Sequence, residues 1–371
     1  LIMRILFVST LSHIPQRASG ANSCIDEMAH ALQERGHETA VLCALKPRGP
    51  LFWRTRIQAA LAGEKPFIED HRLGYATYRG YDPINGIPEA IERFQPEVAV
   101  AEVGQTSRTA RALIEAGLPC VAYLHDTTQD TFAIDPFIHP RLLYISNSLF
   151  TQSFFRERNN LLSEVIRPLV HPERYRVHST REVVLHLNPS PRKGIDITLK
   201  LAQQRPKVPF WIVDTWGLDR RQRADFRART RRLSNVRIFA TTRDPRPLYR
   251  RSRLICAPSQ WIETWGRMAT EAHLSGIPVL ASLSGGLPES VGPGGLLLPP
   301  DAPIEHWLTA LDQLWSDPTA YAQIAARSLA YAERAEIQPK HIVERFLESL
   351  NRVQATPAQG IGEQSLHPQP G

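Results

Sequence analysis

The chain has 371 residues, 42% of them hydrophobic and 22% charged, with a formal net charge of +7. That length and balance fit a globular protein with room for more than one α/β domain, and exclude fibrous or wholly disordered classes. No run approaches the roughly 20 apolar residues of a membrane-spanning helix, and the positive charge favours acidic partners without choosing among nucleotides, anionic lipid and nucleic acid.

Taken from the start, Met3–Ser9 reads as a first strand. The apolar opening Leu1–Val8 is too short for a leader, and no small-residue cleavage site follows it. Ala21–Arg35 has Ile25, Met28, Ala29 and Leu32 at helical spacing, and Gly36 punctuates its end. Strands are then predicted at Thr39–Ala44, Val98–Val103, Cys120–His125 and Leu142–Ser146. A second series follows at Val183–Leu187, Phe210–Val213, Val236–Phe239, Leu254–Ala257, Pro278–Ala281 and Leu296–Leu298. Alternation of β-branched runs with helical patterns argues for parallel sheets covered on both faces, in two doubly wound domains. The polar stretch His171–Thr180 marks the boundary. The expected division is an N-terminal Rossmann-like domain over residues 1–175 and a C-terminal one over 176–339. A closing helix spans about 340–352, with Ile342, Phe346 and Leu350 on one stripe, and 355–371 is a flexible, Pro/Gly/Gln-rich tail.

Cys24, Cys43, Cys120 and Cys256 are scattered and form no Cys-x-x-Cys pair. A reducing, cytoplasmic setting is therefore expected rather than a disulfide framework. The sequence contains no Asp-x-Asp, His-x-x-His or His-Glu-x-x-His, so no metal and no cofactor is predicted.

The most informative segment is Leu254–Pro278. A strand ends at Pro258-Ser259, a turn presents Glu263, and Thr264 is the expected cap of a helix running to about Ser275, with Gly276 as its stop. Such a unit aims a helix N-terminus at the crevice beyond the strand ends, a natural seat for a diphosphate. Glu263 and Glu271 are suited to accept hydrogen bonds from vicinal hydroxyls, and Gly266 allows close backbone approach. A nucleotide sugar matches this pattern. From the residues alone, the usual reading of Glu263 is a helix-dipole partner and of Glu271 a solvated helix face.

Glu263 and Glu271, with seven residues between them, together with Gly266, Ala272, Gly276 and Pro278, resemble the Glu-x7-Glu signature of retaining glycosyltransferases of family 4. Ser19-Gly20-Ala21 and Arg35-Gly36-His37 are similar to that family's N-terminal glycine loop and following turn. Lys193-Gly194 resembles its phosphate-binding pair, and Ser284–Glu289 with Gly294-Gly295-Leu296 its glycine-rich loop and next strand. The resemblance extends over nearly the whole chain to about residue 352. It implies the GT-B fold, two facing Rossmann-like domains with an interdomain cleft, the acceptor on the first and the nucleotide sugar on the second.

It also implies roles. Glu271 binds the nucleotide ribose, Glu263 the sugar hydroxyls, and Lys193 the departing diphosphate. Gly20 lets the first loop approach the phosphates, and His125 reaches the sugar, with Asp126 a weaker candidate to orient it. Arg192, Thr264, Trp265 and Gly266 complete the donor contacts. Departures are Asn188 or Ser190 where the family has an Arg before the Lys, and Thr264-Trp265 after the first Glu. Trp265 reads either as a shaper of the sugar subsite or as a larger core residue.

The implied activity is metal-independent transfer, with retention, from a nucleotide-diphosphate sugar to a hydroxyl acceptor. UDP is the donor base by base rate alone. Rival readings are a sugar phosphorylase or nucleotide-sugar hydrolase on the same fold, and a non-catalytic nucleotide-sugar binder. Two basic segments suggest peripheral contact with an anionic membrane. One is Asp219–Arg232, which holds seven arginines and reads otherwise as a solvated helix face; the other is Pro50–Ile57, aromatic and basic in a loop after the second strand or in a helix packed on the first domain. No recognised nucleic-acid module is present, so no nucleic acid is expected.

Overall fold

A computed structural model describes residues 2–47, 49–62, 67–128, 136–215, 218–357 and 364–365. The chain divides into two compact units, Leu1–Leu169 with Pro339–Gly371, and Val170–Gln338. Both are Rossmann-like, as hydrophobic strands alternating with helices require.

The first unit holds β1 (Arg4–Ser12), β2 (Glu38–Ala44), β3 (Ile68–Asp70), β4 (Ala76–Gly80), β5 (Val98–Glu102), β6 (Cys120–Leu124), β7 (Phe137–Ile138), β8 (Leu142–Ser146) and β9 (Glu164–Val165). Eight of these form one sheet in the order β3-β4-β2-β1-β5-β6-β8-β9. It is parallel except for the antiparallel pair of β3 with β4. The order reverses between β1 and β5, whose register sets Val8 beside Ala101 and Ser9 beside Glu102. Period-two alternation splits β1 between two cores. Met3, Ile5 and Phe7 face one side with Val100 and Tyr123, while Leu6 and Val8 face the other with Ala99 and Tyr144. The helix Pro339–Ala355 covers the first of these faces, with Phe346 stacked on Phe7 at 6.3 Å between ring centroids.

The second unit holds β10 (Val183–Leu187), β11 (Phe210–Asp214), β12 (Val236–Ala240), β13 (Ser252–Ala257), β14 (Val279–Ser282) and β15 (Gly295–Leu298). All are parallel, in the order β12-β11-β10-β13-β14-β15. Here the order reverses between β10 and β13. The helices that follow these two strands pack on opposite faces of the sheet, and between their starts lies the crevice where α/β sheets bind ligands.

The expected strands are all present, with ends displaced by a few residues at most. Among β1 to β9, the strands β3, β4, β7 and β9 were not predicted. β4 carries Arg79, which reads as a surface residue, yet Arg79 is wholly buried and donates from Nε to Asp70 on β3 at 2.8 Å. A buried, paired charge hides a strand from pattern reading. Pro50–Ile57 lies in a helix, Pro50–Ala62, in which Phe52 is buried while Trp53, Ile57 and Leu61 stand exposed. The Arg-rich segment is a capped helix, Arg220–Thr230, with Arg223 bound to Asp214 at 2.7 Å and Arg229 to Asp196 at 2.6 Å. The expected tail lies outside the described residues except for Ala355–Pro357 and β16 (Gln364–Ser365), which pairs antiparallel with β7. Among the described residues no helix is long and apolar enough to cross a membrane.

Phe346 is fully buried against Phe7 and Tyr123. Phe346→Ala is expected to destabilise the first unit by about 3–5 kcal/mol, read as a lower urea midpoint. A loss under about 1 kcal/mol would contradict its place in that core.

Candidate functional site

The loop leaving β10 begins with Asn188 in the left-handed region, φ +75°. Asparagine tolerates this conformation because its side chain bonds locally, here by accepting from the Ser190 amide at 3.0 Å. Pro191–Lys193 forms a single 3₁₀ turn and Gly194 ends it with φ +75°. A side chain on Gly194 would lie 1.8 Å from the Pro258 carbonyl oxygen, so only glycine lets this turn rest on the backbone leaving β13. The Gln260 amide donates to the Arg192 carbonyl at 2.8 Å and ties the two loops together.

His186 holds the first loop from beneath. The Asn188 carbonyl, 3.0 Å from Nε2, can only accept, so Nε2 carries the hydrogen, and Nδ1 accepts from Thr198 Oγ1 at 2.9 Å. Burial lowers its pKa to about 4, so the ring stays neutral.

Lys193 and Glu263 meet where these loops converge. Nζ lies 2.5 Å from Glu263 Oε1, and Ser259 Oγ donates to the same oxygen at 2.8 Å. Both charged side chains remain partly exposed. Arg192 sits over the Trp261 ring at 4.7 Å.

The Glu263 loop is fixed from its other side by Ser284–Gly286. Ser284 Oγ donates to the Trp261 carbonyl at 3.0 Å, and the Gly286 amide donates to the Glu263 carbonyl at 2.6 Å. Cβ atoms on Gly285 and Gly286 would fall 2.0 Å from the Glu263 oxygen and 2.1 Å from the Thr264 oxygen.

One expectation is corrected here. Thr264 does not cap the helix; the cap is Gly266, with φ +84°, and the helix runs Arg267–His273 rather than to Ser275. The reason is Trp265, whose indole is buried in the core and donates to Thr270 Oγ1 at 3.3 Å. Seating that ring keeps residues 263–265 out of the helix, so Glu263 projects from a loop and not from a helix. Of the two readings of Trp265, its place is the core one.

Glu271 forms a second cluster. Oε1 accepts from Arg267 Nε at 2.8 Å and Oε2 from Tyr249 Oη at 2.6 Å. Arg267 is itself buried and also donates to Tyr175 Oη at 2.8 Å. Burial, then the Glu271 charge and hydrogen bond, push the Tyr249 phenol well above its ordinary range, so it remains a donor. A carboxylate has about four acceptor positions, and these bonds take one on each oxygen. The arrangement fixes Glu271 in one orientation without exhausting it.

In the first unit, Gly20 is exposed at the start of the helix Gly20–Gln33, and Ser19 is the N-cap. His125 follows β6 and packs against Tyr123, with ring centroids 4.1 Å apart and planes tilted by 42°. Asp126 accepts from the Thr128 amide at 3.0 Å. Glu102, at the end of β5, sets its Oε2 3.2 Å from His125 Nε2.

Sequence reasoning paired Lys193 with a phosphate and Glu263 with a sugar, and did not place the two in contact. It missed Ser259, Tyr249 and Glu102, which carry no local signature. Arg267 was visible in principle, four residues before Glu271 on one helix face. Among the described residues, no cluster of three or more His, Cys, Asp or Glu is placed to hold a metal.

Residues 173–331 match the family described as "Glycosyl transferases group 1". D-inositol 3-phosphate glycosyltransferase of Rhodococcus opacus (strain B4) is 35% identical over 126 residues, covering 33% of this chain and 27% of that protein. Its namesake in Corynebacterium diphtheriae is 36% identical over 97 residues, covering 24% and 22%. The match therefore spans about a quarter of the length of these curated relatives. Among solved structures, Anabaena Alr3699/HepE in complex with UDP-glucose superposes with a TM-score of 0.72 at 22% identity, covering 94% of this chain and 99% of that one. Sucrose-phosphate synthase of Thermosynechococcus elongatus gives 0.72 at 16%, covering 96% and 100%. These likenesses establish the fold.

The His186 imidazole also makes stability depend on pH. In the unfolded chain it titrates near its ordinary 6.5 and in the folded unit near 4, so the unfolded state binds the extra proton in between. Its contribution is complete above pH 6.5 and is lost as pH falls toward 4. Urea unfolding at pH 7.5 and 5.0 is expected to show about 2 kcal/mol less pH dependence in His186→Gln than in the wild type. Equal pH dependence in both would contradict a buried neutral ring.

Proposed function

From a chain whose residues 173–331 form a glycosyl transferases group 1 domain on a GT-B fold, we propose a retaining, metal-independent glycosyltransferase. It moves a sugar from a nucleoside-diphosphate sugar to a hydroxyl acceptor. The observation that carries this reading is the Lys193–Glu263–Ser259 cluster at the sheet's reversal point, together with a Glu271 locked in one orientation on the helix that follows the Glu263 loop. The UDP-glucose in the complex of HepE supports a UDP donor.

In this reading Glu271 accepts from the ribose hydroxyls, and Glu263 from the sugar hydroxyls. Glycosyl transfer passes through an oxocarbenium-like state in which the leaving diphosphate gains negative charge. Lys193 and backbone N–H groups meet that charge in a preorganised setting. The acceptor attacks from the leaving-group face, and the departing phosphate takes its proton. Gly20 and His125 contribute from the first unit, which holds the acceptor; Arg192, Thr264 and Gly266 line the donor. Trp265 acts from the core by shaping the loop.

A thermal-shift panel with UDP, GDP, ADP, TDP and CMP, with and without EDTA, tests this. A nucleotide at about a hundred times its Kd stabilises by roughly 2.7 kcal/mol. One EDTA-insensitive shift is expected, with UDP. Glu271→Gln is expected to weaken that nucleotide about tenfold or more, and Glu263→Gln to lower kcat with little change in nucleotide affinity. No shift with any nucleotide would sink the proposal. Turnover with inorganic phosphate or water as sole acceptor would favour a phosphorylase or hydrolase, and binding without turnover a scaffold.

The partner surface proposed for the first unit is the helix Pro50–Ala62. Trp53, Ile57 and Leu61 recur every four residues and are 59%, 60% and 84% exposed, with exposed Arg54 and Arg56 beside them. Apolar side chains framed by cations fit an anionic bilayer surface. Co-sedimentation with phosphatidylglycerol vesicles is expected, weakened by high salt and abolished in Trp53→Ser/Ile57→Ser. Equal behaviour with neutral phosphatidylcholine vesicles, or none with either, would remove this contact.

A further inference from the structure

A line of hydrogen bonds runs through the interior of the first unit behind the helix start at Ser19–Gly20. Asn22 Nδ2 donates to the Ser12 carbonyl at 3.2 Å. A carbonyl only accepts, so the Asn22 amide is fixed in one orientation. The same Nδ2 lies 3.3 Å from His13 Nδ1, which must then accept. His13 Nε2 therefore carries the ring hydrogen and donates to Tyr75 Oη at 2.9 Å. Tyr75 passes its own hydrogen to Asp26 Oδ1 at 2.9 Å. At the other end Ser19 Oγ donates to Asn22 Oδ1 at 2.7 Å.

The chain thus has one direction, from Ser19 through Asn22, His13 and Tyr75 to Asp26, and both ends impose it. His13, Asn22, Tyr75 and Asp26 are all buried, which removes water as an alternative partner. Burial, and then the Arg79 charge, hold His13 at a pKa of about 3 against the raising influence of Asp26 and Asp70. Arg79 also donates to the Ile14 carbonyl at 2.7 Å, a second tie on the same loop.

We propose that Tyr75 and Asp26 are positioning residues for the sugar-nucleotide donor, acting through His13 and Asn22 to hold the helix start that carries Gly20. Neither residue lies in a motif of the sequence. This role rests on the reading of Gly20 as a donor contact. The hydrogen-bond chain itself does not.

The test uses the full chain labelled with ¹⁵N-histidine, with the His13 signal assigned by its loss in His13→Gln. The expected wild-type state is a neutral ring with the hydrogen on Nε2 and no titration between pH 8 and 5. Tyr75→Phe keeps the ring and removes the hydroxyl. It is expected to raise the KM for the nucleotide sugar about tenfold while kcat stays within about twofold. A role in stability alone would leave that ratio unchanged in the folded variant. Should Tyr75→Phe fail to fold, Asn22→Asp replaces the donor facing Nδ1 with a carboxylate oxygen. His13 is then expected to take up a proton and titrate between pH 5 and 8. A wild-type ring with its hydrogen on Nδ1, or charged at pH 7, overturns the chain. An unchanged KM in folded Tyr75→Phe overturns the positioning role. If no nucleotide binds the wild type, the proposed function falls and the positioning role with it, while the ring measurement still decides the chain.

Discussion

The candidate donor site depends on backbone touching backbone. The Glu263 carbonyl receives the Gly286 amide at 2.6 Å, and the Gly194 turn lies against the Pro258 carbonyl. Neither approach tolerates a Cβ. Three loops leaving β10, β13 and β14 are thereby pinned to one another before any side chain contributes. Side chains at their tips inherit that rigidity, which is what an electrostatic site needs, since charges that must reorganise lose much of their effect. The glycines are thus the means by which Lys193 and Glu263 are brought to 2.5 Å.

The two glutamates are held in different ways, and the difference fits different tasks. Glu271 is gripped by a buried guanidinium and a phenol that burial keeps protonated. Its charge is fixed and its direction set. Glu263 shares its proximal oxygen with a lysine and a serine that are both on loops. Lys193 and Glu263 neutralise one another while 23% and 16% of their side-chain surfaces stay open to solvent, so an anionic ligand can reach the lysine.

Most of the architecture was legible. Apolar runs at strand length, separated by helical patterns, gave eleven strands in the right places, since strands buried on both faces leave no other trace in sequence. β4 was hidden because its charge is buried and paired inside the unit. The cap of the Glu271 helix was misread because Thr264 has the right chemistry and only the burial of Trp265 keeps it from acting. Glu263, Glu271 and Lys193 stood out through a resemblance, whereas Tyr249, Ser259 and Glu102 depend on contacts between residues far apart in the chain. No local pattern records such contacts.

The first unit is completed by the helix Pro339–Ala355, made only after the whole of Val170–Gln338 has been synthesised. At typical elongation rates that interval is about ten to thirty seconds. Through it, the sheet face bearing Phe7, Val100 and Tyr123 lacks the ring of Phe346 that covers it. The second unit is continuous in sequence and can close its own core first. Biosynthesis therefore inverts the usual order, and one face of the nascent N-terminal sheet stays apolar and uncovered until the last helix is made.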